Sequence, residues 1–342
     1  MNKSNSPIDV LITVPFSTFL IKKLQEVSPT LRITVHPAQS VDEVPDELWA
    51  RCEVLYTNRI IPDVELAPNL KWVQHHHAGI ESSTTFLSSD RSNLVVTTLS
   101  GGATSQIAEH VLSMLLVFGH QLPVFSEHQK KAEWPKDRWE RFNPRELRNS
   151  TVGIIGYGSI GRQVARLLRE FGTTVLATKN NAMQPADSGY TIEGMGDPKG
   201  EFIHRLYPAQ AIKSMLKDCD FIIVAVPRTN TTRGLVDAKV LAVCKPTAFL
   251  IDVSRGNIVD HEALIKALNE HKLAGAALDV FPEEPLHPKS PLWSMPNVII
   301  TPHIAGMSSH YNERAVALFS ENLSRYIADL PLYNIFDHKK GY

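Results

Sequence analysis

A chain of 342 residues, 43% of them apolar, is long enough for about two domains and a large buried core. Its 35 Lys and Arg against 36 Asp and Glu leave a formal charge of −1, without the basic excess that binding nucleic acid by phosphate neutralisation requires. Apolar runs such as Leu115–Phe118 and Phe221–Val226 fall far short of the roughly 20 residues that span a bilayer, so no membrane partner is expected.

The N-terminus places Lys3 before an apolar stretch, but Asp9 and Pro15 interrupt it and no small-residue cleavage site follows. It reads as a first strand rather than a secretory signal. Strands are expected at Asp9–Thr13, Arg32–His36 and Val54–Tyr56, with a helix at Phe19–Val27, then strands at Leu70–Gln74 and Leu94–Thr97. From Thr104 to about His120, Ile107, Ala108, Val111, Leu112 and Leu115 recur at helical spacing. Residues 121–149 break the rhythm. They are charged and carry Trp134 and Trp139, and read either as a surface excursion or as an arm that a partner subunit covers, because exposed tryptophans are costly.

From Thr151 the alternation is stricter. Strand Val152–Ile155, helix Ile160–Phe171 and strand Thr174–Ala177 precede a Gly-rich irregular stretch over Asp187–Gly200. Helix Ala209–Leu216, strand Phe221–Val226, helix Ala238–Val243, strand Ala248–Asp252, helix His261–Asn269, strand Ala274–Asp279 and strand Val298–Thr301 follow. A helix from about Tyr311 to Ala328 comes last. Such βαβ order predicts an α/β protein with parallel sheets covered by helices. Cys52, Cys219 and Cys244 are odd in number, widely spaced and form no CxxC pair, which fits a reducing, cytoplasmic setting.

The sharpest local signal is Gly156-Tyr-Gly158-Ser-Ile-Gly161, which follows an apolar strand and opens a helix. Gly156 suits the tight turn, Gly158 a close approach of backbone to a pyrophosphate, and Gly161 the packing of helix on strand. The N–H groups at the helix start, at Ser159 and Ile160, would face phosphates. Sites that read NAD usually carry an acid at the end of the second strand. Here Thr173–Asn181 contains none, and Lys179 stands about where it is expected. An ammonium there attracts a 2′-phosphate, which favours NADP over NAD; the other reading is a solvated lysine with promiscuous cofactor use.

In open α/β sheets ligands sit outside the carboxyl ends of the strands. Three expected strands end in Val253-Ser254-Arg255-Gly256, in Asp279-Val-Phe-Pro-Glu283-Glu284-Pro285, and in Pro302-His303-Ile-Ala-Gly306. Reduction of a 2-oxo acid needs a proton donor, for which histidine is suited near neutral pH. A neighbouring carboxylate orients that ring and favours its charged form. The planar fork of an arginine matches a substrate carboxylate.

These segments resemble the D-isomer-specific 2-hydroxyacid dehydrogenase family over nearly the whole chain. The resemblance implies a Rossmann cofactor domain, at 101–305 with a 121–149 dimerisation arm, inserted into a flavodoxin-like substrate domain at 1–100 and 306–342. It implies Arg255 as the substrate-binding residue, Glu284 as partner of the acid/base, and His303 as proton donor. Pro227, Thr232 and Val253 would line the nicotinamide nucleotide, with Asp279 approaching the carboxamide. The stretch from Gln74 to Ile80 is similar to the family's substrate loop, with carboxylate-cradling N–H groups at Ala78 and Gly79. Ile107-Ala108-Glu109 matches the start of the helix that crosses between domains, and the chemistry is expected in the cleft that closes between them. Arg228 stands where the family commonly has leucine, and nothing in the sequence accounts for it.

The expected protein is therefore a homodimeric NAD(P)-dependent reductase of small 2-oxo acids. A nucleotide-sensing, corepressor-like binding protein of the same fold is the alternative. Formate as substrate is disfavoured because that branch pairs its histidine with glutamine. Phosphoglycerate is disfavoured because no regulatory domain follows residue 342 and no phosphate-binding cluster lines residues 74–81. Three adjacent histidines, His75–His77, cannot all ligate one ion from a strand, so no metal is expected; one ring, His75 or His77, is the better candidate to line the substrate pocket.

Overall fold

The computed structural model describes residues 6–80, 93–337 and 339–341. The first residues of the N-terminal reading and Glu81 of the 74–81 stretch lie outside the described residues. The chain divides into two compact units, Met1–Ala103 with Ser308–Tyr342, and Thr104–Met307.

The first unit opens with β1 (Ile8–Ile12), α1 (Thr18–Gln25), β2 (Leu31–Val35), α2 (Asp46–Arg51), β3 (Val54–Thr57), β4 (Trp72–His75) and β5 (Val95–Thr97). The second begins with α3 (Thr104–Gly119), α4 (Leu122–Lys130), α5 (Arg138–Arg141), β6 (Thr151–Ile155), α6 (Ser159–Glu170), β7 (Thr174–Lys179) and β8 (Arg205–Pro208). It continues with α7 (Ile212–Leu216), β9 (Phe221–Val224), α8 (Ala238–Leu241), β10 (Phe249–Asp252), α9 (His261–Asn269), β11 (Gly275–Leu278) and β12 (Val298–Ile300); α10 (Tyr311–Ile327) belongs to the first unit again.

Five parallel strands order the first unit as β2-β1-β3-β4-β5, the flavodoxin order. Alternate residues serve two cores. Val10, Ile12, Val54, Tyr56 and Trp72 meet Leu20 and Leu24 of α1 and Phe319 and Leu323 of α10, whereas Leu11, Leu55, Val73 and Val96 meet Trp49 of α2. Burial on both faces is why these strands read as continuous apolar runs.

The second unit has seven parallel strands in the order β12-β11-β10-β9-β6-β7-β8. Counted from β6 this is the Rossmann order 3-2-1-4-5-6 with one strand added. Ile154, Ile223, Ile251 and Ala277 face α3 and α6, and Ile222, Val224, Leu250 and Ala276 face α7, α8 and α9. Asp237 and Asp260 cap the helices that follow them, accepting from Val240 N–H at 2.8 Å and Ala263 N–H at 3.0 Å. No single helix among the described residues is long and apolar enough to cross a membrane. The pair α3 and α4 is long enough together but bent by 63°.

Three elements depart from the sequence expectation. Strand β8 was hidden because Arg-Leu-Tyr-Pro is an edge strand with only Tyr207 buried. The six residues of α2 were too short to show a period, though Trp49 is fully buried. Helix Ala209–Leu216 is a 3₁₀ turn at Ala209–Ala211 followed by α7. Within 121–149, α4 and α5 form, and Trp134 and Trp139 stay 81% and 79% exposed. The Arg138 guanidinium lies 5.9 and 4.9 Å from their ring centres.

Candidate active site

Parallel strands share one carboxyl edge, and in the second unit every site residue expected there lies at a strand end or on a loop leaving that edge. The glycine turn follows β6, Lys179 ends β7, and Pro227 and Thr232 follow β9. Val253 and Arg255 follow β10, Asp279 and Glu284 follow β11, and His303 follows β12.

The glycine turn is set by close contacts. A Cβ on Gly161 would lie 2.4 Å from the Gly156 carbonyl oxygen, and Gly156 itself has φ +102°. Gly158, the residue before α6, offers the opposite: a Cβ there would meet nothing within 4 Å. Open space over the positive end of a 12-residue helix, with the N–H groups of Ser159 and Ile160 at its start, fits the pyrophosphate of a dinucleotide.

His303 adopts φ +54°, uncommon for a residue with a side chain. Its conformation is held from both sides. The Asp279 carboxylate, 3% exposed, accepts from Thr301 Oγ1 at 2.6 Å, Ile304 N–H at 2.9 Å and Ala305 N–H at 3.0 Å. Asp279 thus spends its oxygens on the loop that carries His303, in addition to any contact with a carboxamide. His303 Nδ1 lies 2.7 Å from Glu284 Oε2, while Glu284 Oε1 accepts from Phe281 N–H at 3.0 Å. With Nδ1 facing the carboxylate, Nε2 is the nitrogen left to exchange a proton.

Arg255 is half-buried and donates from Nη1 to Ser254 O at 2.8 Å. Beside it, a Cβ on Gly256 would fall 1.9 Å from the Phe281 carbonyl oxygen, so only glycine lets the Arg255 loop close on the turn that holds Glu284. This contact brings the arginine's loop to the histidine–glutamate pair. Thr232 Oγ1 donates to Pro227 O at 2.7 Å and accepts from Thr229 N–H at 2.8 Å, closing the loop after β9 on itself; Arg228 is exposed.

A buried carboxyl at the end of β10 escaped the sequence reading. Asp252, the last residue of β10, is 1% exposed; Ser254 N–H and Oγ donate to its Oδ1, and Oδ2 has no hydrogen-bond partner among the described residues. Burial pushes its pKa up from 3.8 to about 7. The folded protein therefore holds this proton, which the unfolded chain has lost, between about 3.8 and about 7. Stability falls as pH rises through that window. Asp252→Asn, which keeps the side chain neutral, should raise the melting temperature by a few degrees more at pH ~8 than at pH ~5, a difference of about two or three kcal/mol. Equal shifts at both pH values would show that the group does not titrate there.

At the end of β7, Lys179 Nζ donates to Gln184 O at 2.7 Å and Ala186 O at 2.8 Å. Its pKa is lowered by burial and by Arg162, against an opposing pull from Asp187. Asp187 was invisible as a neighbour because it arrives through the loop after β7, not through strand spacing.

In the first unit the stretch expected to form a substrate loop begins at the end of β4. His75 and His76 are buried, His77 and Ala78 exposed, and Gly79 half-buried. His76 Nδ1 lies 2.8 Å from the Tyr56 hydroxyl, and burial, with His77 and His75 nearby, lowers its pKa to about 4. The Tyr311 hydroxyl donates to His76 O at 2.8 Å. Among the described residues no cluster of His, Cys, Asp and Glu is arranged to hold a metal ion.

The family model for D-isomer specific 2-hydroxyacid dehydrogenase, NAD binding domain, matches residues 112–305. The chain belongs to the D-isomer specific 2-hydroxyacid dehydrogenase family of NAD(P)-dependent enzymes. It is 31% identical to the glyoxylate reductase of Pyrococcus furiosus over 79% of this chain and 76% of that one. Against the (S)-sulfolactate dehydrogenase of Chromohalobacter salexigens it is 33% identical, over 68% of this chain and 70% of the relative. The D-isomer specific 2-hydroxyacid dehydrogenase of Xanthobacter autotrophicus Py2, solved in complex with NADPH and MES, matches with a TM-score of 0.77 at 27% identity. That match covers 97% of this chain and 100% of the other.

Proposed function

We propose that this enzyme uses NADPH, in preference to NADH, to reduce a small 2-oxo acid of the glyoxylate or hydroxypyruvate type to its D-2-hydroxy acid. The observation that carries this reading is the 2.7 Å contact between His303 Nδ1 and Glu284 Oε2 on the sheet edge that also bears the glycine turn. The nicotinamide, when bound, supplies the hydride. His303 Nε2 gives the proton to the carbonyl oxygen, and Glu284 holds the ring in place. Arg255 grips the carboxylate and polarises the carbonyl; the N–H groups of Ala78 and Gly79 add donors to the carboxylate.

Gly156, Gly158, Ser159, Ile160 and Gly161 hold the pyrophosphate, and Pro227, Thr232, Val253 and Asp279 line the nicotinamide side. The NADP preference rests on the charge of Lys179 and on the absence of an acid within the end of β7; Asp187 is the residue that works against it. Residues 121–149, with Trp134 and Trp139 exposed, form the arm of a homodimer, which sedimentation velocity tests.

The functional test is a panel of 2-oxo acids run with NADPH and with NADH, followed by loss of reduced-cofactor absorbance. Glyoxylate or hydroxypyruvate should be turned over, with kcat/KM about tenfold higher for NADPH, the worth of one charge-assisted contact. Better turnover with NADH would remove the Lys179 argument. Tight cofactor binding without oxidation across the panel would fit a nucleotide sensor instead.

A further inference from the structure

The three histidines at the end of β4 have different surroundings. His75 and His76 are buried, whereas His77 is exposed, one residue before Ala78 and Gly79. The backbone there is pinned to both neighbouring strands. His76 N–H donates to Thr57 O, at the end of β3, at 2.8 Å, and Leu99 N–H, just past β5, donates to His77 O at 3.0 Å. The side chain is held as well: His77 Nδ1 lies 3.2 Å from the hydroxyl of Tyr311, the first residue of α10.

The protons of this cluster can be assigned from its geometry. A carbonyl oxygen only accepts, so the Tyr311 hydroxyl spends its single proton on His76 O, 2.8 Å away. Toward His77 the phenolic oxygen is then an acceptor, and the proton on that contact belongs to Nδ1. A neutral imidazole carries one N–H, so Nε2 of His77 presents a lone pair. Holding the loop does not require an imidazole at this position. The ring stands instead at the carboxyl edge of a parallel sheet, the edge where such sheets bind ligands.

We propose that His77 determines which 2-oxo acid is taken: its Nε2 accepts a hydrogen bond from a hydroxyl on C3 of the substrate, so that 3-hydroxy-2-oxo acids are selected over their 3-deoxy counterparts. Tyr311 is the positioning residue that keeps Nε2 an acceptor. The proposal rests on the reading that places the substrate carboxylate at the N–H groups of Ala78 and Gly79, and adds the recognition of the other end of the molecule. A hydroxyl suits this ring where a second anionic group does not, because a lone pair repels an anionic oxygen and accepts from an O–H.

The test compares kcat/KM for hydroxypyruvate and pyruvate, which differ only in that hydroxyl, at saturating NADPH and again at saturating NADH. A pH of about 8 lies above the reference imidazole value of about 6.5. The parent should favour hydroxypyruvate. His77→Phe keeps a ring and removes both nitrogens, and should cut the ratio of hydroxypyruvate to pyruvate about tenfold, the worth of one hydrogen bond. Tyr311→Phe keeps the imidazole and releases its tautomer, and should cut the ratio about threefold. Melting checks the fold of each variant; should His77→Phe fail to fold, His77→Leu carries the same comparison. A ratio within about twofold of the parent in the His77 variant would overturn the proposal while leaving the reduction of 2-oxo acids intact. Equal slowing of both substrates in Tyr311→Phe would overturn its positioning role and make it structural. A parent that turns over neither acid with either cofactor would overturn the proposed function and this proposal together.

Discussion

Exchange of His303 for alanine should lower kcat about 10²- to 10⁴-fold, the contribution of a well-placed general acid, with the dissociation constant for NADPH almost unchanged. The reason lies in how the ring is held. Glu284 occupies Nδ1 at 2.7 Å and is itself anchored to Phe281 N–H, so the ring has one orientation and presents Nε2. His303→Asn is the better-controlled version, because residue 303 sits at φ +54° and asparagine tolerates that region more readily than alanine. It cannot supply the proton, so it should be as slow as the alanine variant while melting closer to the parent. Glu284→Gln keeps one acceptor oxygen where the carboxylate uses two, and should cost about tenfold in kcat, the scale of one charge-assisted hydrogen bond. Near-parental turnover in His303→Asn would remove His303 from the role of proton donor.

Arg255→Lys should raise the KM for the 2-oxo acid by about 100-fold, equal to two or three kcal/mol. The substitution keeps the charge and discards the planar fork, which is what distinguishes a two-point grip on a carboxylate from a simple ion pair. The Arg255 loop has little room to compensate. Its neighbour Gly256 is pressed against the Phe281 carbonyl, and Arg255 Nη1 is already committed to Ser254 O. A 2-oxo amide sharpens the measurement: the parent should favour the acid strongly, and the lysine variant should lose most of that preference. A KM within about threefold of the parent would mean that another residue binds the carboxylate.

Much of this site was legible because its residues sit at strand ends, and strand ends can be read from apolar runs. Strand β10 predicts where Arg255 falls, β11 where Glu284 falls, and β12 where His303 falls; the parallel order then sends all three to one edge. The glycine turn was legible for a related reason, since three glycines between an apolar strand and an amphipathic helix have few other uses. Asp279 was legible in place but not in full. The family resemblance implied a cofactor contact for it, and its three bonds to the loop around His303 emerge only when β12 is laid beside β11.

By itself the sequence determined the α/β class, the order of elements along the chain and the placing of Arg255, Glu284 and His303 after three strands, because apolar periodicity, turn glycines and strand ends are local properties. Only the tertiary structure decided what lies beside what: Asp187 next to Lys179, Arg162 buried under the β7–β8 connection, and Asp252 carried out of water at the end of β10. Those facts depend on burial and on contacts between residues far apart in the chain, and desolvation is a property of surroundings that no window of neighbouring residues contains.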